Sequence, residues 1–216
     1  MTIEPYYSDD HVTLYHGDAL ELMTEIEADV MVTDPPYGMN YQSNWGANQG
    51  ANHAKVAGDG SVVARDAVLA MWAQRPALVF GRWSVPRPAR TRLRLIWSKA
   101  PDPGMGDLSS PWGNSDEEIY VLGSGFRSET RRSNILTYLK PPVQAFERHH
   151  PTPKPVELMR DLIACCPPGI ILDPFAGSGS TLRAAKDLNR KAIGIELKER
   201  YCEIAALRCA QEVLAI

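Results

Sequence analysis

Two rhythms of hydrophobic and polar positions run along the 216 residues. Short apolar runs bounded by turn residues predict strands over 12–16, 29–33, 77–80, 93–97, 118–122, 170–172 and 191–195. Stretches with helical spacing predict helices over 19–26, 62–72, from 156 to about 165, 181–188 and 198–214. The last third alternates strand, glycine turn, helix, strand and helix, an order that implies a parallel sheet with right-handed crossovers. The strands at 93–97 and 118–122 are expected to pair around a Pro/Gly-rich excursion. Residues 123–150 show no clear period, and 39–60 form a long polar stretch poor in periodic apolar residues. A loop of that length in a compact domain is usually a lid or a binding loop. The expectation is one α/β domain over 1–216, with a candidate lid at 38–60 and a short candidate target-recognition region at about 99–148.

Composition is ordinary for a globular protein: 44% hydrophobic and 23% charged. The first residues lack a basic stretch followed by an apolar run, and no segment approaches the ~20 apolar residues of a bilayer span. These features predict a cytoplasmic protein with no membrane partner. Cys165, Cys166, Cys202 and Cys209 do not have metal-ligand spacing and are expected to pack as small apolar residues. No metal is expected. His149 and His150 read as loop residues, and Trp72, Trp83, Trp97 and Trp112 as core or hairpin packing.

Charge refines this picture. Residues 1–60 hold one Lys/Arg against ten Asp/Glu, whereas 61–150 hold 13 against 8. Such a local basic surface on a protein of net charge −3 suits a phosphate-binding face, and equally a solvated arginine-rich one.

Two motifs carry chemistry. DPFAGSGST (173–181) lies between a strand and a helix, where glycines let backbone approach a ligand at the carboxyl end of the strand. Glu196, ending the next strand, suits ribose hydroxyls. A P-loop would need Lys after Gly179, and a dinucleotide fingerprint would need glycine at the position of Leu182. A negative Asp173 at the mouth would repel phosphate and attract an ammonium or a sulfonium, which points to S-adenosylmethionine. The second motif, Asp34-Pro35-Pro36-Tyr37, follows another apolar strand. Exocyclic amines of adenine and cytosine are poor nucleophiles because the lone pair is delocalised into the ring. The Asp34 carboxylate and the Pro35 carbonyl, accepting the amine hydrogens, would draw nitrogen toward sp³ geometry. The prolines remove competing N–H donors, and Tyr37 offers a stacking face worth roughly 1–3 kcal/mol. In isolation each motif also reads as a simple turn after a strand.

Together the motifs resemble those of the amino-group DNA methyltransferases, the N6-adenine and N4-cytosine enzymes, in the arrangement with the catalytic motif before the cofactor motif. LYHGDALELM (14–23), LIWSKAPDPG (95–104), EEIYVLGSG (117–125), HPTPKPVELM (150–159) and GIELKERYCEIA (194–205) extend the likeness over nearly the whole chain. The resemblance implies a Rossmann-like S-adenosylmethionine-dependent methyltransferase fold: a mostly parallel seven-stranded sheet with an antiparallel hairpin and a small irregular insertion. In that sheet 12–16 would lie beside 191–195. It implies cofactor contacts from Asp18, Ala19, Asp34, Thr152, Lys154, Asp173, Phe175, Ala176, Gly177, Ser178, Gly179, Glu196 and Leu197. Catalysis would fall to Asp34, Pro35, Pro36 and Tyr37. Double-stranded DNA would be bound through Arg82, Arg127, Arg131 and Arg132, with the target base flipped out. The expected reaction is direct in-line transfer to adenine N6, with cytosine N4 as the alternative. More remote are RNA or protein-glutamine methylation, and a catalytically inactive DNA-binding protein with a relict fold. A homodimer and a cognate restriction endonuclease are the partners that such a role allows. The roughly 25 residues between Gly123 and His150 are shorter than the family's usual recognition region.

Overall fold

Alternation of side chains along the strands explains how the sheet is covered. The computed structural model describes residues 3–36, 62–101, 109–139 and 153–211. Among these, the strands are β1 (Tyr7–Ser8), β2 (Val12–His16), β3 (Val30–Thr33), β4 (Ala77–Gly81), β5 (Leu93–Ser98), β6 (Asp116–Leu122), β7 (Ile135–Thr137), β8 (Ile171–Asp173) and β9 (Ala192–Glu196). The helices are α1 (Ala19–Leu22, continued by a 3₁₀ turn to Glu25), α2 (Val63–Trp72), α3 (Val156–Ala164), α4 (Ser180–Asp187) and α5 (Glu199–Ala210).

All nine strands form one sheet in the order β1-β2-β9-β8-β3-β4-β6-β5-β7. The seven expected strands are its continuous middle. The short edge strands β1 and β7 extend it, and the sequence showed no period for either. Strands β2, β9, β8, β3 and β4 are parallel, and β6 is antiparallel to both β4 and β5. β2 pairs with β9 from the far end of the chain, His16 opposite Glu196, as the resemblance implied.

Each inner strand feeds two cores because successive side chains point to opposite faces. Val30, Val32, Leu78, Phe80 and Ile119 face α3, α4 and α5 through Leu158, Ile163, Leu182, Ala185, Cys202 and Ala205. Met31, Ala77, Val79 and Tyr120 face α1 and α2 through Met23, Val68, Leu69 and Trp72. Cys202 and Cys209 are wholly buried, and Cys166 packs against the same core. Burial pushes the thiols of Cys166, Cys202 and Cys209 up to about 12, so they pack as the sequence led us to expect. The tryptophans divide, which corrects the expectation of packing for all four. Trp72 and Trp97 are buried, but Trp83 is 67% and Trp112 82% exposed. Among the described residues no helix is long and apolar enough to cross a membrane. The candidate lid, together with 102–108 and 140–148 of the candidate recognition region, lies outside the described residues.

Candidate active site

The carboxyl ends of β2, β9, β8, β3 and β4 lie side by side, and the two sequence motifs leave the sheet there. The glycine turn follows β8. Gly179, which precedes α4, has φ +79°, and a Cβ on it would come within 2.8 Å of the Ala205 Cβ on α5. Gly194 inside β9 has the same function for packing: a Cβ there would sit 2.7 Å from Leu182 and 3.1 Å from Ala176. Bare backbone at these positions draws α4 and α5 against the strand ends. Gly177 N–H donates to Glu196 Oε2 at 2.9 Å, and Lys198 N–H to Oε1 at 2.8 Å. Burial raises the Glu196 carboxyl above its ordinary value, and these backbone donors work against that rise. Each of its oxygens keeps a lone pair for a further donor. Asp18 caps α1 through its Oδ1, 2.8 Å from Leu20 N, and stands one strand away because Gly17 N–H bonds the Glu196 carbonyl. Ala19, Ala176 and Ser178 are buried under this rim, Phe175 is half-buried, and Leu197 is exposed. Two carboxylates flanking a turn with exposed backbone fit the hydroxyls and amino group of an adenosine.

Asp173 departs from its expected role. Its carboxylate is not an open charge at the mouth; it is buried inside the turn. Thr33 Oγ1 donates to Oδ1 at 2.8 Å, Thr181 Oγ1 to Oδ2 at 2.5 Å, and Phe175 N–H to Oδ1 at 3.1 Å. Burial raises its pKa to about 6, with the nearby Asp34 charge adding to the rise. The carboxyl therefore ties β3, β8 and α4 together. The earlier inference from its charge to a sulfonium ligand does not hold for this geometry.

Asp34, one residue beyond β3, is the more open of the two carboxylates, with 27% of its side chain exposed although its Oδ1 is buried. Lys154 Nζ lies 2.6 Å from Asp34 Oδ2. Only 6% of that lysine side chain is exposed, and its ammonium lies 5.1 Å from the Phe80 ring centre. Pro35 is buried and Pro36 half-buried, so the turn is held rigid beside the strand. Tyr37 and Thr152 lie outside the described residues. Lys154 thus reaches the Asp34 carboxylate; the resemblance implied contact with the cofactor.

Two charged residues here were missed from sequence. Glu117 lies 3.1 Å from Lys154 Nζ and 2.5 Å from Lys99 Nζ. Burial alone would raise its carboxyl, but Lys154 and Lys99 outweigh burial and hold it below its ordinary value. The signal was available: DEEIYVL opens a largely buried strand with three consecutive acids, and buried acids need partners. Its neighbour Glu118 points to the other face and binds Arg94 at 2.9 Å, Arg87 at 3.1 Å and the Tyr120 hydroxyl at 2.5 Å.

The basic residues separate. Arg82 follows β4 at the catalytic end, next to the exposed Trp83. Arg127, Arg131 and Arg132 instead line a cavity of about 510 Å³ with Leu78, Leu93 and Phe126, toward the opposite end of β4. Arg132 is ion-paired to Asp161 of α3. The structure does not bring these three to Asp34.

The model of the N6/N4 methylase family, described as DNA methylase, matches residues 74–207. Type II methyltransferase M.ScaI of Streptomyces caespitosus is 25% identical, covering 99% of this chain and 86% of its own. The M1.HpyAVI–SAM complex superposes with TM-score 0.63 at 22% identity, over 93% of this chain and 100% of that one. The cytosine-N4-specific PvuII DNA methyltransferase superposes with TM-score 0.67 at 15% identity, over 99% and 92%. With these matches behind the two motif turns at one sheet edge, the chain belongs to the N6/N4 amino-group DNA methylase family and has the S-adenosylmethionine-dependent methyltransferase fold.

Proposed function

We propose that this protein transfers a methyl group from S-adenosylmethionine to the N6 amino group of adenine in double-stranded DNA. The observation that carries the reading is Asp34, a partly exposed carboxylate just past β3, held 2.6 Å from a buried lysine beside the glycine turn. Bound S-adenosylmethionine supplies an electrophilic methyl group on a sulfonium. Asp18 and Glu196 bind the nucleoside, with Ala19, Phe175, Ala176, Gly177, Ser178, Gly179 and Leu197 forming the surrounding wall.

Asp34 and the Pro35 carbonyl accept the two hydrogens of the target amine and concentrate its lone pair on nitrogen. Lys154, paired with Asp34, favours its ionised form, which is the stronger acceptor. The amine then attacks in line: the new N–C bond forms as the S–C bond breaks, and that electron pair stays on sulfur. The excess proton on nitrogen lies against Asp34. No enzyme nucleophile is required, which agrees with cysteines whose thiols are held up at about 12. Adenine is preferred to cytosine because Asp stands at position 34, where cytosine enzymes resembling this chain often have Ser.

On the DNA side, Arg82 contacts a phosphate and Trp83 lies against the opened duplex. Arg127, Arg131 and Arg132 reach DNA only where the duplex runs along the hairpin face. The role allows a homodimer or a cognate endonuclease. Incubation with unmethylated DNA and labelled cofactor, followed by nucleoside mass spectrometry, tests the reading. N6-methyladenine is expected; N4-methylcytosine would transfer the same mechanism to the other base. Absence of label in DNA would overturn the proposal.

A further inference from the structure

Glu117 opens one of the segments that carry the resemblance but was given no role there, yet it is the second anion on the lysine that holds Asp34. Four side chains form an alternating series from the rim into the protein: Asp34, Lys154, Glu117, Lys99. The separations are 2.6, 3.1 and 2.5 Å. Asp34 is 27% exposed, whereas Lys154 (6%), Glu117 (14%) and Lys99 (10%) are all largely buried, Lys154 most of all. Lys99 also lies 4.8 Å from the Trp97 ring centre, so an aromatic wall backs the inner end of the series. Glu117 is on β6 and Lys99 just past β5, on the hairpin that flanks the catalytic turn without contributing to it.

We propose that Glu117, backed by Lys99, is a positioning residue for Asp34, acting through Lys154. This inference rests on Asp34 as the acceptor of the target amine. A lone buried ammonium beside Asp34 would form a tight neutral pair and weaken the carboxylate as an acceptor. Glu117 competes for the same ammonium. It fixes where Lys154 stands and leaves Asp34 ionised but only partly neutralised. Among the described residues Asp173 on β8 is a further charged group near Asp34, and Asp34 already raises its titration. Its hydroxyl donors keep it turned away from the rim.

The series makes opposite predictions for its two inner members. Removing the Lys154 charge takes a cation from Asp34, so its titration moves up by about 1–3 pH units. Removing the Glu117 charge takes away an anion that shares Lys154 with Asp34, so the titration moves down by about one pH unit. The experiment is a carbon-detected titration of the Asp carboxyls in the full-length protein, with Asp34 assigned by its loss in Asp34→Asn. Wild type, Lys154→Gln, Glu117→Gln and Glu117→Asp are compared, with kcat and KM of each for DNA.

The expected result is opposite shifts for the two Gln variants. Glu117→Gln should also lower kcat about tenfold or more with little change in KM, and Glu117→Asp should recover part of the loss. An unshifted Asp34 in Glu117→Gln would overturn the proposal. If that variant does not fold, Lys99→Gln is read instead: a small upward shift of Asp34 supports the series, and none overturns it. Because the titration needs neither cofactor nor DNA, it stands apart from the catalytic reading. That reading fails separately if Asp34→Asn retains full transfer.

Discussion

Asp173 and Asp34 stand at the same edge of the sheet, at the ends of the neighbouring parallel strands β8 and β3, and the fold treats them in opposite ways. Asp173 is closed in by two hydroxyls and a backbone N–H, and burial raises its pKa to about 6. Asp34 is partly exposed and is held by an ammonium. Hydroxyl donors fix a carboxylate in place at no cost in net charge and make it a structural tie. A lysine keeps a carboxylate ionised and available. Thr33 makes the two turns interdependent, since it precedes Asp34 in the chain while its hydroxyl is committed to Asp173. Under the proposed function the glycine turn is the rigid half of the site and the Asp34 turn the chemical half.

The sharpest way to break this division is at Asp34. Asp34→Ala should lower methyl transfer by about 10²–10⁴-fold, the range for a positioned acid–base group. Cofactor affinity should persist, because the glycine turn does not depend on that side chain. Calorimetric titration with S-adenosylhomocysteine beside a transfer assay separates the two. Loss of cofactor binding in proportion to activity would erase the distinction between the halves.

Asp173 tests the other half through pH. A carboxyl whose folded pKa exceeds its unfolded one contributes stability that is fully present below about pH 3.8 and is lost as pH rises through about 6. Asp173→Asn abolishes that titration. The stability of wild type minus that of the variant should then fall by about 2–3 kcal/mol between pH 4 and 7, at ~1.4 kcal/mol per pH unit. Urea unfolding at several pH values reads it. A difference independent of pH would mean that Asp173 ionises as freely as an exposed carboxyl. A smaller effect is expected at Gly179. Alanine there must adopt φ near +79° and press on Ala205, which should cost about 1–2 kcal/mol. The accompanying fall in Tm should come with weakened cofactor binding and an unchanged kcat at saturating cofactor.

The same contrast explains what could be read from sequence. The parallel strands were legible because strands buried on both faces are continuous apolar runs, and the glycine turn because backbone approach demands residues without a Cβ. The pairing of β2 with β9 came from the resemblance alone, since no local pattern encodes a partner 180 positions away. Asp173 was misread because type and position do not reveal which way a carboxylate points; that depends on Thr33 and Thr181, from separate elements. Glu117 and Lys99 went unnoticed because each looks like surface charge until strand and hairpin bring them to Lys154. Exposure of Trp83 and Trp112 was hidden for the same reason: an aromatic in a loop has no periodicity to place it.

The smallest expected effect concerns the DNA face, where the two regions also differ. Arg82 and Trp83 stand at the catalytic end, whereas Arg131 lines the cavity near the other end of β4. A phosphate contact contributes about one to the slope of log affinity against log salt. Arg82→Ala should therefore lower that slope by about one and weaken binding a few-fold, while Arg131→Ala should leave both nearly unchanged. Fluorescence anisotropy on a duplex over a range of salt concentrations measures each. Equal losses for the two variants would mean that the duplex follows the hairpin past the cavity, and the sequence-based grouping of the four arginines would hold after all. A loss for Arg131→Ala alone would move the DNA face away from the catalytic rim. A base flipped toward Asp34 could not then be reached from that face without DNA bending, so the same anisotropy series also tests where the target base enters.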